Sequence, residues 1–181
     1  MTFVYKMNII EKLDPDIQRT RKHFDFLFSK GYKIKCYSFM KYWAVVLEGP
    51  ICLICLREDR GEFLLSFGPK NSLQFIKKQF YLQDQIFIQS MIYYVSGKEK
   101  VIGMFTNDFY KDSDDQLFFL SHLVKKYHDQ IIPYFGSYEF IQNKEKLYQV
   151  SREYGELVRE KYIIQKQPRE VFDREKILEI I

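Results

Sequence analysis

The stretch that decides the fold runs from Tyr32 to Phe67 and reads YKIKCYSFMKYWAVVLEGPICLICLREDRGEFLLSF. It opens in alternation, with Ile34 and Cys36 set among Lys33 and Lys35, the period-two pattern of a strand with one wet face. Tyr42 to Leu47 follows, rich in β-formers (Trp43, Val45, Val46) and broken by Gly49-Pro50. Ile51 to Leu56 is apolar on both faces and reads as a central strand. Asp59-Arg60-Gly61 supplies a turn, and Phe63, Leu65 and Phe67 carry a fourth strand as far as Gly68-Pro69. Connections this short join only antiparallel neighbours, because a parallel pair needs a crossover of about a dozen residues or more. The stretch is therefore expected to be a four-stranded antiparallel meander.

On the N-terminal side, Asp14-Pro15 predicts a helix start, with proline where its missing N–H does no harm. Ile17, Phe24, Leu27 and Phe28 then share one helical face, and Gly31 is placed to end the helix in a left-handed turn. On the C-terminal side the period changes to that of helices. Asn71 or Ser72 caps a short one carrying Leu73, Ile76 and Phe80, and a second, Leu82 to Val95, ends at Ser96-Gly97. Residues 98 to 115 fit strand or helix, with Asp112 to Asp115 as a loop and helix start. Leu117 to Ile132 predicts a helix burying Leu117, Leu120, Val124 and Ile131. Another, about Asn143 to Ile164, would bury Leu147, Val150, Tyr154, Leu157 and Val158. The chain thus reads as α+β: an N-terminal helix, the meander, then a mainly helical C-terminal half. The 181 residues suit one domain, with an α+β core over 14–95 and a helical extension over 115–181 packed on it.

Seventeen Phe and fourteen Tyr against one Trp point first to core packing, and the tyrosines also to half-wet positions or a binding face. The formal charge of +4 is spread among interspersed acids, which argues against a concentrated nucleic-acid footprint. No apolar run approaches the roughly twenty residues that span a bilayer, and the first residues lack the pattern of a signal peptide. Three cysteines, two of them in an apolar segment, suit a reducing compartment, and the expected location is the cytoplasm.

Each candidate for chemistry has a plainer reading. Cys52 and Cys55 have C-x-x-C spacing, but on a strand residues three apart project to opposite faces and cannot share a metal or a disulfide. His23, His122 and His128 are scattered on helices at intervals that form no metalloprotease pattern, although a His–Cys pair assembled in three dimensions stays open. The acids from Asp112 lack the glycine and glutamate of a calcium loop and suit a helix N-terminus. No catalytic, metal or cofactor site is expected. Arg57-Glu58-Asp59-Arg60-Gly61 remains, four charges at a hairpin tip between apolar strands, as either a solvated turn or a recognition tip.

The order of a capped helix ending in Gly31-Tyr32, an aromatic strand Tyr42-Trp43-Ala44-Val45-Val46-Leu47 and a strand leading into Asp59-Arg60-Gly61 resembles small uncharacterised bacterial proteins grouped with the immunity proteins of polymorphic toxin systems. The resemblance covers roughly residues 14 to 80. It implies a cytosolic binding protein without catalytic residues. The expectation is therefore a non-catalytic protein-binding protein, immunity-like, whose partner is another protein such as a toxin domain. Arg57, Asp59, Arg60, Tyr42 and Trp43 are its binding residues. Two alternatives stand beside it: an enzyme whose site assembles only in three dimensions, and a weakly basic nucleic-acid or regulatory module using Lys77-Lys78 and Lys125-Lys126. The apolar end, Ile177 to Ile181, offers a surface for a second copy of the chain and hence a homodimer.

Overall fold

Proline at position 15 opens helix α1 (Pro15–His23), and a short helix α2 (Asp25–Ser29) follows. The computed structural model describes residues 15–38, 44–59, 62–76, 79–97 and 113–165. One continuous helix was expected here, but Phe24, at φ −111° and ψ 26°, divides it in two. Ile17, Phe24 and Leu27 are all fully buried, so the expected apolar face survives the break. Gly31 ends the segment at φ +88°, a conformation that L side chains rarely adopt.

Four strands follow as a meander: β1 (Lys33–Ser38), β2 (Ala44–Glu48), β3 (Cys52–Asp59) and β4 (Glu62–Pro69), each antiparallel to the next. β3 lies in the middle of the sheet and its first five residues are buried, as a run apolar on both faces requires. Alternation then sorts the side chains. Val45, Leu47, Cys52, Ile54, Leu56, Leu65 and Phe67 belong to the main core, whereas Val46, Leu53 and Cys55 form a second cluster. The two thiols are thus on opposite sides of the sheet, both free and both buried.

A sheet apolar on both faces needs cover on both, and this explains where the structure departs from the helical reading of residues 71 to 82. After a single 3₁₀ turn (Lys70–Ser72), β5 (Leu73–Ile76) and β6 (Gln79–Leu82) pair as an antiparallel ribbon. Leu73 and Leu82 stand opposite each other in it and, with Phe80, pack against Val46, Leu53 and Cys55. The spacing of Leu73, Ile76 and Phe80 suits a helix, but Leu73, Phe80 and Leu82 suit two alternating strands equally well, and the uncovered sheet face decides between them. A two-residue strand β7 (Ile86–Phe87) then joins the edge of β4, making five strands in the order β1-β2-β3-β4-β7. The helix expected from Leu82 begins only at Ile88, as α3 (Ile88–Val95).

The main core is closed by α3 and by α4 (Ser113–Ile131), which buries Leu117, Leu120, Val124 and Ile131 as expected. Beyond β7 the free edge of β4 meets a side chain instead of a strand. Gln116 accepts from the Phe63 N–H at 2.7 Å and donates to the Phe63 carbonyl at 3.0 Å, pairing the backbone as a neighbouring strand would. A 3₁₀ turn (Ile132–Phe135) leads into α5 (Ser137–Arg159), which starts six residues before the expected Asn143 and runs on through a π-helical turn (Glu160–Ile164). The fold class is as expected: α+β, with an N-terminal helix, an antiparallel sheet and helices in the C-terminal half. Among the described residues no helix is long and apolar enough to cross a membrane. Of the ambiguous segment 98–115, residues 113–115 begin α4, while residues 98–112 and the tail 166–181, with the proposed dimer surface at Ile177 to Ile181, lie outside the described residues.

Candidate functional site

Helix α5 was expected to bury one continuous apolar face, and only part of that face is buried. Leu147 and Val150 are 1% and 5% exposed, whereas Tyr154 and Val158 are half-buried and Leu157 is 38% exposed. The uncovered half borders a groove of about 580 Å³. Its opposite wall comes from Leu64 of β4 and from Phe87, Gln89 and Ser90, where β7 turns into α3. Along α5 the lining residues include Tyr148, Ser151, Arg152, Gly155 and Val158, at the three- and four-residue steps of one helical face. Ser151 and Gly155 are small, and a Cβ built at Gly155 meets nothing within 4 Å. The groove is open above the helix backbone at that point.

Its aromatic walls are fixed by contacts outside the groove. Tyr148 donates its hydroxyl to Asp84 Oδ1 at 3.0 Å, and Lys144 pairs with the same oxygen at 2.8 Å. Burial, and then the Asp84 carboxylate, push the Tyr148 phenol up to about 12. Tyr154 rests against Tyr93 with ring centroids 5.7 Å apart. Phe87 lies under the Arg57 guanidinium, 5.7 Å from its centroid. Arg57 stands directly opposite the lining residue Leu64, and such pairs share a sheet face. The Arg57 Nε and the Gln89 Oε1 are both buried and have no hydrogen-bond partner among the described residues. No carboxylate lines the groove among the described residues, while Arg152 does.

Of the binding residues expected from sequence, Arg57 lies over the ring of Phe87, next to the groove but not among its lining residues. Asp59 ends β3 opposite Glu62, two residues further along the same face. Arg60, Tyr42 and Trp43 lie outside the described residues, so the hairpin tip itself is not described. Sequence reading did not bring Phe87, Gln89 or Gly155 to the site. Phe87 falls inside the helix that the sequence predicts over Leu82 to Val95, and Gly155 lies inside a strong helical period. The Ser151–Gly155 spacing on an otherwise apolar face was the available signal.

A second constellation has the residue types of a nucleophile and base. The Tyr32 hydroxyl lies 3.1 Å from His128 Nε2 and 3.4 Å from Cys52 Sγ, and His128 Nδ1 lies 2.6 Å from Asp129 Oδ1. Lys30 also donates to that carboxylate at 2.9 Å, and Lys30 first, then His128, hold Asp129 below the usual carboxylate range. The order of groups counts against nucleophilic chemistry. A phenol separates the thiol from the imidazole, and burial pushes the Cys52 thiol up to about 11, which keeps it protonated. Burial also raises the Tyr32 phenol. The array ties the end of α4 to the strand β3 and to the turn before β1, and it does not border the groove. His23, bonded to Asp114 at 2.8 Å, makes a similar tie between α1 and the start of α4. Among the described residues no group of three or more His, Cys, Asp or Glu side chains converges as a metal site would need.

Compared with protein-family models, with curated proteins and with solved structures, the chain matches none.

Proposed function

We propose that this protein is a non-catalytic binding protein that recognises another protein through the groove beside α5 and the β3–β4 hairpin at its rim. One observation carries the reading: the apolar face of α5 is buried at Phe140, Leu147 and Val150 but only half-buried at Val158 and exposed at Leu157, beside an open groove. Aromatic walls, an arginine rim and a depletion of acids are what the core of a recognition surface needs. Leu157 and Ile164, on the same helical run, are exposed apolar residues outside the groove. The immunity-like version of this reading, with a toxin domain as partner, rests on the resemblance of residues 14 to 80.

The test is capture from a lysate of the native host with immobilised wild-type protein and with Gly155→Phe, which puts a ring into the space where an added Cβ meets nothing within 4 Å. A protein held by the wild type and released by Gly155→Phe, at unchanged melting temperature, supports the groove. Equal retention by both would move the binding surface elsewhere. Arg57→Glu should weaken capture of the same protein, and unchanged retention would remove the hairpin base from the surface.

A further inference from the structure

We infer that Lys30, Asp129, His128, Tyr32 and Cys52 form a reversible series of hydrogen bonds, a latch that holds the end of α4 on the sheet whether or not His128 carries a second proton. The latch does not border the groove, so it stands apart from partner binding. Its order follows from the distances. His128 is buried and presents Nδ1 to Asp129 Oδ1 at 2.6 Å and Nε2 to the Tyr32 hydroxyl at 3.1 Å. That hydroxyl also lies 3.4 Å from Cys52 Sγ, and Lys30 donates to Asp129 Oδ1 at 2.9 Å. A Cβ at Gly49 would overlap the Tyr32 ring, so the turn between β2 and β3 helps to fix the ring's place.

Around the imidazole, every other group has a settled number of protons near neutral pH. Lys30 and then His128 hold Asp129 below the usual carboxylate range, so it only accepts. Burial raises the Tyr32 phenol. Burial also pushes the Cys52 thiol up to about 11, against smaller lowering by the Tyr32 bond and by Lys70, so phenol and thiol each keep one hydrogen. Imidazole is the one group in the series whose ordinary titration falls between about pH 5 and 8.

Each state of the ring dictates one arrangement. A neutral imidazole has a single N–H, and because the carboxylate only accepts, that hydrogen sits on Nδ1. Nε2 is then bare and accepts from the Tyr32 hydroxyl, whose oxygen accepts from the Cys52 thiol. When a proton from solvent adds to Nε2, that nitrogen becomes a donor to the Tyr32 oxygen. The Tyr32 hydrogen then swings to Cys52 Sγ, and only the weak S–H donor is released. No nitrogen or oxygen of the series loses its partner in either state. The hydroxyl of Tyr32 makes this possible because it both donates and accepts.

The first test is nitrogen-15 NMR of the imidazoles in the wild-type chain, with His128 assigned by the signal lost in His128→Gln. At pH 8 the expected pattern is a proton on Nδ1 and a bare Nε2, and the opposite tautomer would overturn the latch. The second test compares wild type with Tyr32→Phe by chemical denaturation at pH 8 and pH 5. Both proteins contain His23 and His122, so their difference reports the missing hydroxyl. The folding equilibrium constant should fall at both pH values, and at least about threefold further at pH 5, where a charged N–H is left buried without an acceptor. An equal loss at both, or a smaller one at pH 5, would overturn the reversal. Cys52→Ala removes the sulfur that accepts in acid and should show the same direction with a smaller difference. It decides the matter if Tyr32→Phe does not fold, and a loss no greater at pH 5 than at pH 8 would count against the reversal.

Discussion

The two halves of helix α5 share a period and differ in what they meet. In the first half Phe140 is buried, stacked on Phe135 at 5.7 Å, and Phe135 in turn lies 5.6 Å from Phe67 of the sheet. Leu147 completes this contact with the main core. In the second half Tyr154, half-buried against Tyr93, and then Leu157 and Val158 continue the apolar pattern with less burial. Helical period states which face is apolar, and only the surrounding fold decides whether the chain itself covers that face. Among the described residues burial on this face falls off after Val150.

Four changes would break or sharpen that contrast, the largest first. Phe140→Ala should lose about 3–5 kcal/mol in chemical denaturation, because it opens a cavity in a stack of three rings. A loss below about 1 kcal/mol would mean that the first half is not part of the core. Tyr148 stands where the two halves meet, and Tyr148→Phe should lose about 1 kcal/mol with its hydrogen bond to Asp84. The pH dependence has a definite sign. The phenol is raised from 10.0 to about 12 in the folded chain, so the unfolded chain releases its proton first. The tyrosine's contribution is therefore full below pH 10 and falls as pH rises towards 12. Denaturation across that window should show a component that Tyr148→Phe lacks, and identical curves would count against the Asp84 bond.

Gly155→Ala should act in the opposite direction, stabilising the protein by about 1 kcal/mol, because the added methyl relieves glycine's helical penalty and touches nothing. Destabilisation there would show that the space is already filled. Leu157→Ala should change stability by no more than about 0.5 kcal/mol. A larger loss would place Leu157 in a contact and shrink the uncovered half.

Much of the fold was legible because its signals are local. Short turns around Gly49-Pro50 and after Asp59 force antiparallel neighbours, and alternation alone separates Cys52 from Cys55. The ribbon of β5 and β6 was not legible, since Leu73, Ile76 and Phe80 satisfy a helix as well as two strands satisfy Leu73, Phe80 and Leu82. Only the apolar outer face of β2 and β3 breaks the tie. The break at Phe24 and the pairing of Gln116 with Phe63 depend on neighbours distant in sequence. Of the site, the sequence marked Arg57 by its charge beside an apolar strand, but not its stacking on Phe87, a residue thirty positions away that it meets through the β4–β7 pairing. Half-coverage of α5 was invisible for the same reason: Tyr154 and Val158 look like Leu147 until the extent of the core is known.

Amide hydrogen exchange of the protein, alone and with the protein retained in the capture experiment, reads the uncovered face directly. Slower exchange confined to Arg57–Asp59, Glu62–Leu64, Phe87–Ser90 and the stretch from Tyr148 to Ile164 is the expected outcome. Slower exchange confined to α1, α4 or the β5–β6 ribbon, with α5 unaltered, would contradict it.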